Sequence, residues 1–194
     1  MGAMKTFFHP AGTRVPSPQR GFGLIEAMIS SVILIVGLAA LAGLFAQSLT
    51  FLQYTREDLI AKQKAREALE AVYTARNDGT IGWAGIQNTN KGGIFLGGFQ
   101  PLFLPGPNGI VSTAGQTTVL DRQILPGKDG ILGTADDQII PLNNFQRQIL
   151  IEPIFDATGN ISPDIRKITV TVQVTSAQRG IRNFTVAGYV SRFQ

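Results

Sequence analysis

Arg20-Gly21-Phe22-Gly23-Leu24-Ile25-Glu26 opens an apolar run that continues to Phe45, and the reading of this stretch decides the fold. Phe22 to Phe45 is 24 residues long and carries one charge, Glu26. As a helix rising about 1.5 Å per residue it would reach about 36 Å, enough to cross a hydrocarbon core of about 30 Å with some tilt. A carboxylate inside such a run costs about 2.5–3.5 kcal/mol at mid-bilayer, and less near the edge, where Glu26 stands. An acid kept there points to a function and calls for a partner.

Outward on the C-terminal side, the helix should continue. Residues 46–77 contain no Gly or Pro and are rich in Ala, Leu, Glu, Lys, Arg and Gln, all good helix formers. Phe45, Leu49, Leu52, Leu59, Leu69, Val72 and Tyr73 recur at mostly helical spacing, with Ala61, Ala65, Ala68 and Ala71 between them. Arg56, Lys62, Lys64, Arg66, Glu67 and Glu70 form a polar face. The pattern predicts an amphipathic half-helix over 46–78, lying on a domain and stopped by Asn77-Asp78-Gly79. Gly37 and Gly43 are softer points within the whole. On the N-terminal side, residues 1–21 read as a leader. Pro10, Pro16 and Pro18 oppose helix, and Lys5, Arg14 and Arg20 keep that end on the cytoplasmic side.

Basic leader, Gly21-Phe22, an acid four residues later and a long apolar run together resemble the N-terminal signature of type IV prepilins and type II secretion pseudopilins. The resemblance implies that a membrane aspartyl peptidase cuts between Gly21 and Phe22 and methylates the new N-terminus at Phe22. It also implies that Glu26 is the glutamate retained in the filament, pairing with a neighbour's amine. Gly23 departs from the family, which commonly has Thr there. The implied fold is α+β: a long N-terminal helix, half transmembrane and half amphipathic, packed on a C-terminal antiparallel β-sheet. The implied partners are other pilin subunits, the prepilin peptidase/methyltransferase, an inner-membrane assembly platform and, before assembly, membrane lipid. The implied location is the bacterial inner membrane, with a cytoplasmic leader and a periplasmic domain, and then a pilus or pseudopilus. Leu38-Ala39-Ala40-Leu41-Ala42-Gly43-Leu44 and Ala65-Arg66-Glu67-Ala68 resemble PilV-type minor pilins and I-type minor pseudopilins. Two other readings of the apolar run stay open: an uncleaved signal anchor, and a secretory signal cut near Ala39-Ala40-Leu41-Ala42.

The remaining composition constrains function. About 150 residues follow the membrane segment, enough for one domain with a real core. Without cysteine, no disulfide can staple it. The chain holds 17 basic and 13 acidic side chains, but three of the basic ones precede the proposed cut. The mature chain is close to neutral, which gives no support for nucleic acid as a partner. The one histidine, His9, lies in the leader, and no grouping of nucleophile, base and orienter can be assembled, so an enzyme is not expected.

Residues 79–116 hold ten glycines and three prolines beside Trp83, Phe95, Phe99 and Phe103. They read as an irregular αβ loop with a short strand near Ile94-Phe95-Leu96, its aromatics either anchoring it to the core or forming a partner surface. From 117 to 194 the pattern predicts an antiparallel sheet with strands over Thr118–Leu125, Arg147–Phe155, Arg166–Thr175 and Asn183–Ser191. Ile168, Val170, Val172 and Val174 should face inward, as should Phe184, Val186 and Val190. Pro153 weakens the second strand. Between the first two strands, Gly127 to Asp137 contains Asp129, Asp136 and Asp137 with three glycines, a composition similar to acidic calcium loops. The alternative is a solvated turn built by Asp and Gly. If the chain does not polymerise, the competing class is a single-span membrane receptor or calcium-binding anchor protein.

Overall fold

The helix favoured by residues 46–77 and the apolar stretch before it form one element, α1, over Leu24–Asn77, 54 residues. The computed structural model describes Gly21 and residues 23–193. The expected leader up to residue 20 and the methylated Phe22 lie outside the described residues. The chain divides into two compact units, one up to Leu49 and one from Thr50 onward.

In the first unit every residue from Gly23 to Leu49 is exposed. Its helix opens with Gly23 ahead of the first turn, and Gly37 and Gly43 do not interrupt it. One window of α1 has a mean hydropathy of 2.5 and is long enough to cross a membrane.

In the second unit the rest of α1 runs to Asn77. There Gly79 takes φ 81°, the left-handed conformation that glycine adopts most readily at a helix end. The face of α1 that reaches the core is Ala61, Ala65, Ala68, Val72 and Ala75. The expected apolar face holds in part: Ala61, Ala65, Ala68 and Val72 are buried and Leu69 and Tyr73 pack partly buried on the core, whereas Leu52 and Leu59 are 61% and 65% exposed. Four of the five residues on this face are alanine, so the buried stripe is built mostly of small side chains. Tyr73 reaches the sheet at Gly188, where an added Cβ would overlap its hydroxyl.

The strands are β1 (Gln100–Pro101), β2 (Arg122–Leu125), β3 (Gln138–Pro141), β4 (Phe145–Phe155), β5 (Ile161–Ser176) and β6 (Gly180–Ser191). Four of them form an antiparallel sheet in the order β1-β4-β5-β6, while β2 and β3 pair only with each other. This is the expected α+β architecture of helix followed by antiparallel sheet. The apolar alternation holds: Ile168, Val170, Val172 and Val174 are buried, Val190 is buried, and Phe184 and Val186 pack partly buried on the same core. Pro153 leaves β4 intact but sits at a register shift, so that Pro153 pairs Arg166 and Phe155 pairs Ile161. A proline cannot donate to a ladder, and a bulge accommodates it.

Three details differ from expectation. The predicted strand Thr118–Leu125 shortens to β2 and leaves the main sheet for a partner, β3, whose four residues offer too short a pattern to recognise. The sheet's outer strand comes instead from the αβ loop, as two residues of β1. Ile94–Leu96 forms no strand, although Phe95 makes isolated bridges to Asn88 and Thr113.

Candidate functional site

The N-terminal site starts from Gly23. Its carbonyl accepts from the amides of Glu26 at 3.0 Å and Ala27 at 3.2 Å, which opens the helix. Glu26 lies in the first turn, where a carboxylate is favoured by the helix dipole. Its Oε2 accepts from the Gly23 amide at a long 3.5 Å, the reach-back geometry of an acid three residues after a cap. The carboxylate is exposed and forms no ion pair among the described residues. Gly21 is exposed too, and a Cβ built there meets nothing within 4 Å. The fold of this chain therefore makes no demand for glycine at position 21. Behind the acid, Leu24, Val36 and Phe45 are 81%, 63% and 69% exposed. Apolar surface of that extent marks a membrane or protein interaction. Ser31 spends its hydroxyl on the Met28 carbonyl at 2.8 Å, so it carries no unmet donor into an apolar medium.

The acidic loop closes on its own backbone. Asp136 Oδ2 accepts from the amides of Lys128 at 2.6 Å and Asp129 at 3.3 Å, and Oδ1 accepts from the Thr134 hydroxyl at 2.7 Å. Thr134 first, and then these amides, hold the Asp136 carboxyl below the usual carboxylate range. Asp129 Oδ1 accepts from Ile131 N at 2.9 Å, and Asp137 Oδ2 from Gly133 N at 2.7 Å. A Cβ on Gly127 would run into the Asp136 carboxylate, so that glycine serves close approach. Among the described residues no three Asp, Glu, His or Cys side chains converge on a point that could hold a metal. Asp136, Asp129 and Asp137 each accept from a backbone amide of the loop, while Asp137 Oδ1 is buried with no hydrogen-bond partner among the described residues.

Polar groups pin the αβ loop in ways the sequence did not reveal. Asn88, 2% exposed, donates from Nδ2 to the Ile149 carbonyl at 2.7 Å and accepts at Oδ1 from the Ile151 amide at 2.8 Å. Its amide takes the place of a peptide group beside β4. The Arg166 guanidinium lies 4.1 Å from the Trp83 ring centre and donates to the carbonyls of Trp83 and Ile86. Phe95 is fully buried, so an aromatic does anchor this loop. Arg147 is 1% exposed and donates from Nε to the Ser112 hydroxyl at 3.0 Å. Burial draws its pKa down to about 10, against the pull of Glu67 and Asp121. Ser112 holds φ 57°, a left-handed conformation that is strained for a residue with a side chain. Lys64 bonds Asp121 at 2.7 Å and Glu67 at 2.9 Å. Burial lowers the Lys64 pKa, but the bonds to these two acids outweigh it, and the net direction is up. Buried polar residues scattered through a glycine-rich loop leave no periodic signal.

Residues 16–42 match the family model described as the prokaryotic N-terminal methylation motif. The match covers the basic end of the leader, Gly21, Phe22, Glu26 and most of the apolar run. The chain therefore carries a type IV pilin-like signature, that of a pilin or pseudopilin precursor. With the apolar helix behind it, the motif marks a membrane-anchored substrate of prepilin peptidase that assembles with other pilins. Searches among curated proteins and among solved structures find no match.

Proposed function

We propose that this protein is a structural subunit, a minor pilin of a type IV pilus, rather than an enzyme. It is made as a precursor, cut between Gly21 and Phe22, methylated at Phe22 and packed helix to helix into the filament. The leader stays cytoplasmic, the domain from Thr50 onward faces the periplasm, and the subunit is handed from lipid to the assembly platform. The observation that carries the reading is the methylation motif over residues 16–42, continuous with a helix whose apolar side chains are exposed from Leu24 to Leu49. Glycine at position 21, which the fold does not need, fits a scissile site where a bulkier side chain would crowd the peptidase. A minor pseudopilin of type II secretion is the neighbouring reading on the same motif.

Glu26 carries the assembly step. Cleavage frees a secondary amine at Phe22 that is positively charged at neutral pH. A neighbour's amine meeting Glu26 offsets part of the cost each charge has in an apolar medium, and so favours the docked register over displaced ones. Glu26→Leu is expected to insert and be cut normally, yet to be depleted in sheared filaments relative to the membrane pool. Wild-type incorporation of that variant, with normal processing, would remove the carboxylate from assembly.

A further inference from the structure

The two edges of the four-stranded sheet are finished differently. Along β4 the outer edge is covered: Gln146 and Arg147 pair with β1, and Asn88 bonds the backbone of Ile149 and Ile151. Pro153 and the register shift close the remainder. β6 has none of these devices. It pairs with β5 through twelve consecutive partners, from Ser191 to Gly180, without a register shift. It contains neither proline nor lysine. Among the described residues no hydrogen bond outside the β5 ladder reaches its backbone. Long, regular, uncovered edges are what natural sheets usually avoid, because they template a further strand.

The flanks of that edge differ in chemistry. On the solvent face, Ile181, Asn183, Thr185, Ala187 and Tyr189 carry no charge, and Ile181 and Tyr189 are 62% and 65% exposed. On the helix face two cations, Lys62 and Arg66, stand beside the strand, with Glu70 one turn further along the same exposed row. The Lys62 ammonium lies 5.6 Å from the Phe184 ring centre, and Leu69 and Tyr73 touch the site of Gly188. Arg66 falls between them on the same helical face. Neither Lys62 nor Arg66 is in an ion pair among the described residues, whereas Arg182 at the start of β6 is held by Glu57 and Asp58.

We propose that the outer edge of β6 is a strand-addition site for an extended segment of another protein chain, one that carries carboxylates on its helix-side face opposite Lys62 and Arg66. Backbone bonding to β6 supplies affinity, and the alternating faces supply selection. A second copy of this chain is disfavoured as the occupant, because β6 against β6 would bring the Lys62 and Arg66 of both copies to one seam. The site stands whether or not the chain enters a filament.

The test uses the full chain in detergent micelles and labelled peptides of about ten residues, a typical strand length. One alternates Thr with Glu, one alternates Thr with Lys, and one is the Thr-Glu peptide with alternate backbone amides N-methylated. Fluorescence anisotropy should show saturable binding of the Thr-Glu peptide, with the Thr-Lys peptide weaker by about tenfold or more. The N-methylated peptide should not bind, and hydrogen exchange should slow at β6 amides only with the Thr-Glu peptide. Lys62→Glu with Arg66→Glu should reverse the preference, and both positions are exposed, so the fold should survive. Absence of binding by the Thr-Glu peptide would overturn the proposal. So would binding indifferent to N-methylation or to the charge reversal. A dimer that protects β6 without any peptide would assign the edge to a second copy instead.

Discussion

Two stretches of α1 treat apolar residues in opposite ways. From Leu24 to Leu49 large apolar side chains recur among small ones, and every residue is exposed. From Ala61 to Ala75 those facing the core are mostly alanine, and they are buried. Hydrophobicity of a residue therefore does not foretell burial within its own chain. In the first stretch the apolar surface must be covered from outside, by lipid or by other subunits. In the second it is covered from inside, by the core of the same chain. Leu59, 65% exposed, shows the contrast at a single position, two residues before fully buried Ala61.

The comparison can be attacked at several points, taken here in descending order of effect. Asp121→Ala should cost most, about 2–3 kcal/mol, because it removes the buried partner of Lys64 and leaves only the more exposed Glu67 to hold it; a loss under about 0.5 kcal/mol in denaturant unfolding would show that the bridge is not internal. Ala65→Leu should destabilise by about 1–3 kcal/mol through overpacking against the sheet, despite being the more hydrophobic residue. Leu59→Ala, although it deletes a larger side chain, should stay within about 0.5 kcal/mol. If chemical denaturation ranked Leu59→Ala above Ala65→Leu, the inside and outside faces of the helix would be misassigned.

The smallest effects belong to the acidic loop. Calcium and chelator should give nearly the same melting temperature, since each loop carboxylate already accepts from a backbone amide and only Asp137 Oδ1 lacks a partner among the described residues. A calcium-dependent rise would restore the ion-binding reading of Asp129, Asp136 and Asp137. Asp136 and Asp156 have carboxyl pKa values lowered from 3.8 in the folded state, mainly by the hydroxyls of Thr134 and Thr158. Lowered folded values mean the stabilisation is present above about pH 4 and is lost as pH falls through the folded pKa. Asp136→Asn should remove that increment, lowering stability slightly at neutral pH and leaving the acid end nearly unchanged, so that the acid limb flattens; an effect confined to acid pH would contradict the assignment.

How far the fold was legible follows from the same contrast. The long apolar helix, its end before Gly79 and the alternation in β5 and β6 are read from local periodicity, and the structure carries each of them. The Gly21–Phe22–Glu26 spacing is equally local, and the methylation-motif match falls on it. What failed was register and partnership. The helical face from Ala61 to Tyr73 was legible, but Leu52 and Leu59, which share its periodicity, lie outside the core. β3 is too short to announce itself, and it took β2 away from the main sheet. The αβ loop is fixed by Asn88, Arg147 and Arg166, whose partners lie 60 or more positions away for Asn88 and 80 or more for Arg166. No local pattern encodes contacts of that kind. The acidic loop had the composition of a cation site, but composition does not say whether carboxylates turn toward one another or toward N–H groups.

The central claim is that the apolar stretch belongs to a processed filament subunit. It is tested most directly by intact-mass and N-terminal analysis of the chain extracted from membranes of cells with an active prepilin peptidase. The account predicts a mature protein that begins at N-methylated Phe22, and an uncut precursor for Gly21→Val. A wild-type chain that keeps residues 1–21 under those conditions would contradict it and return the apolar helix to a simple membrane anchor.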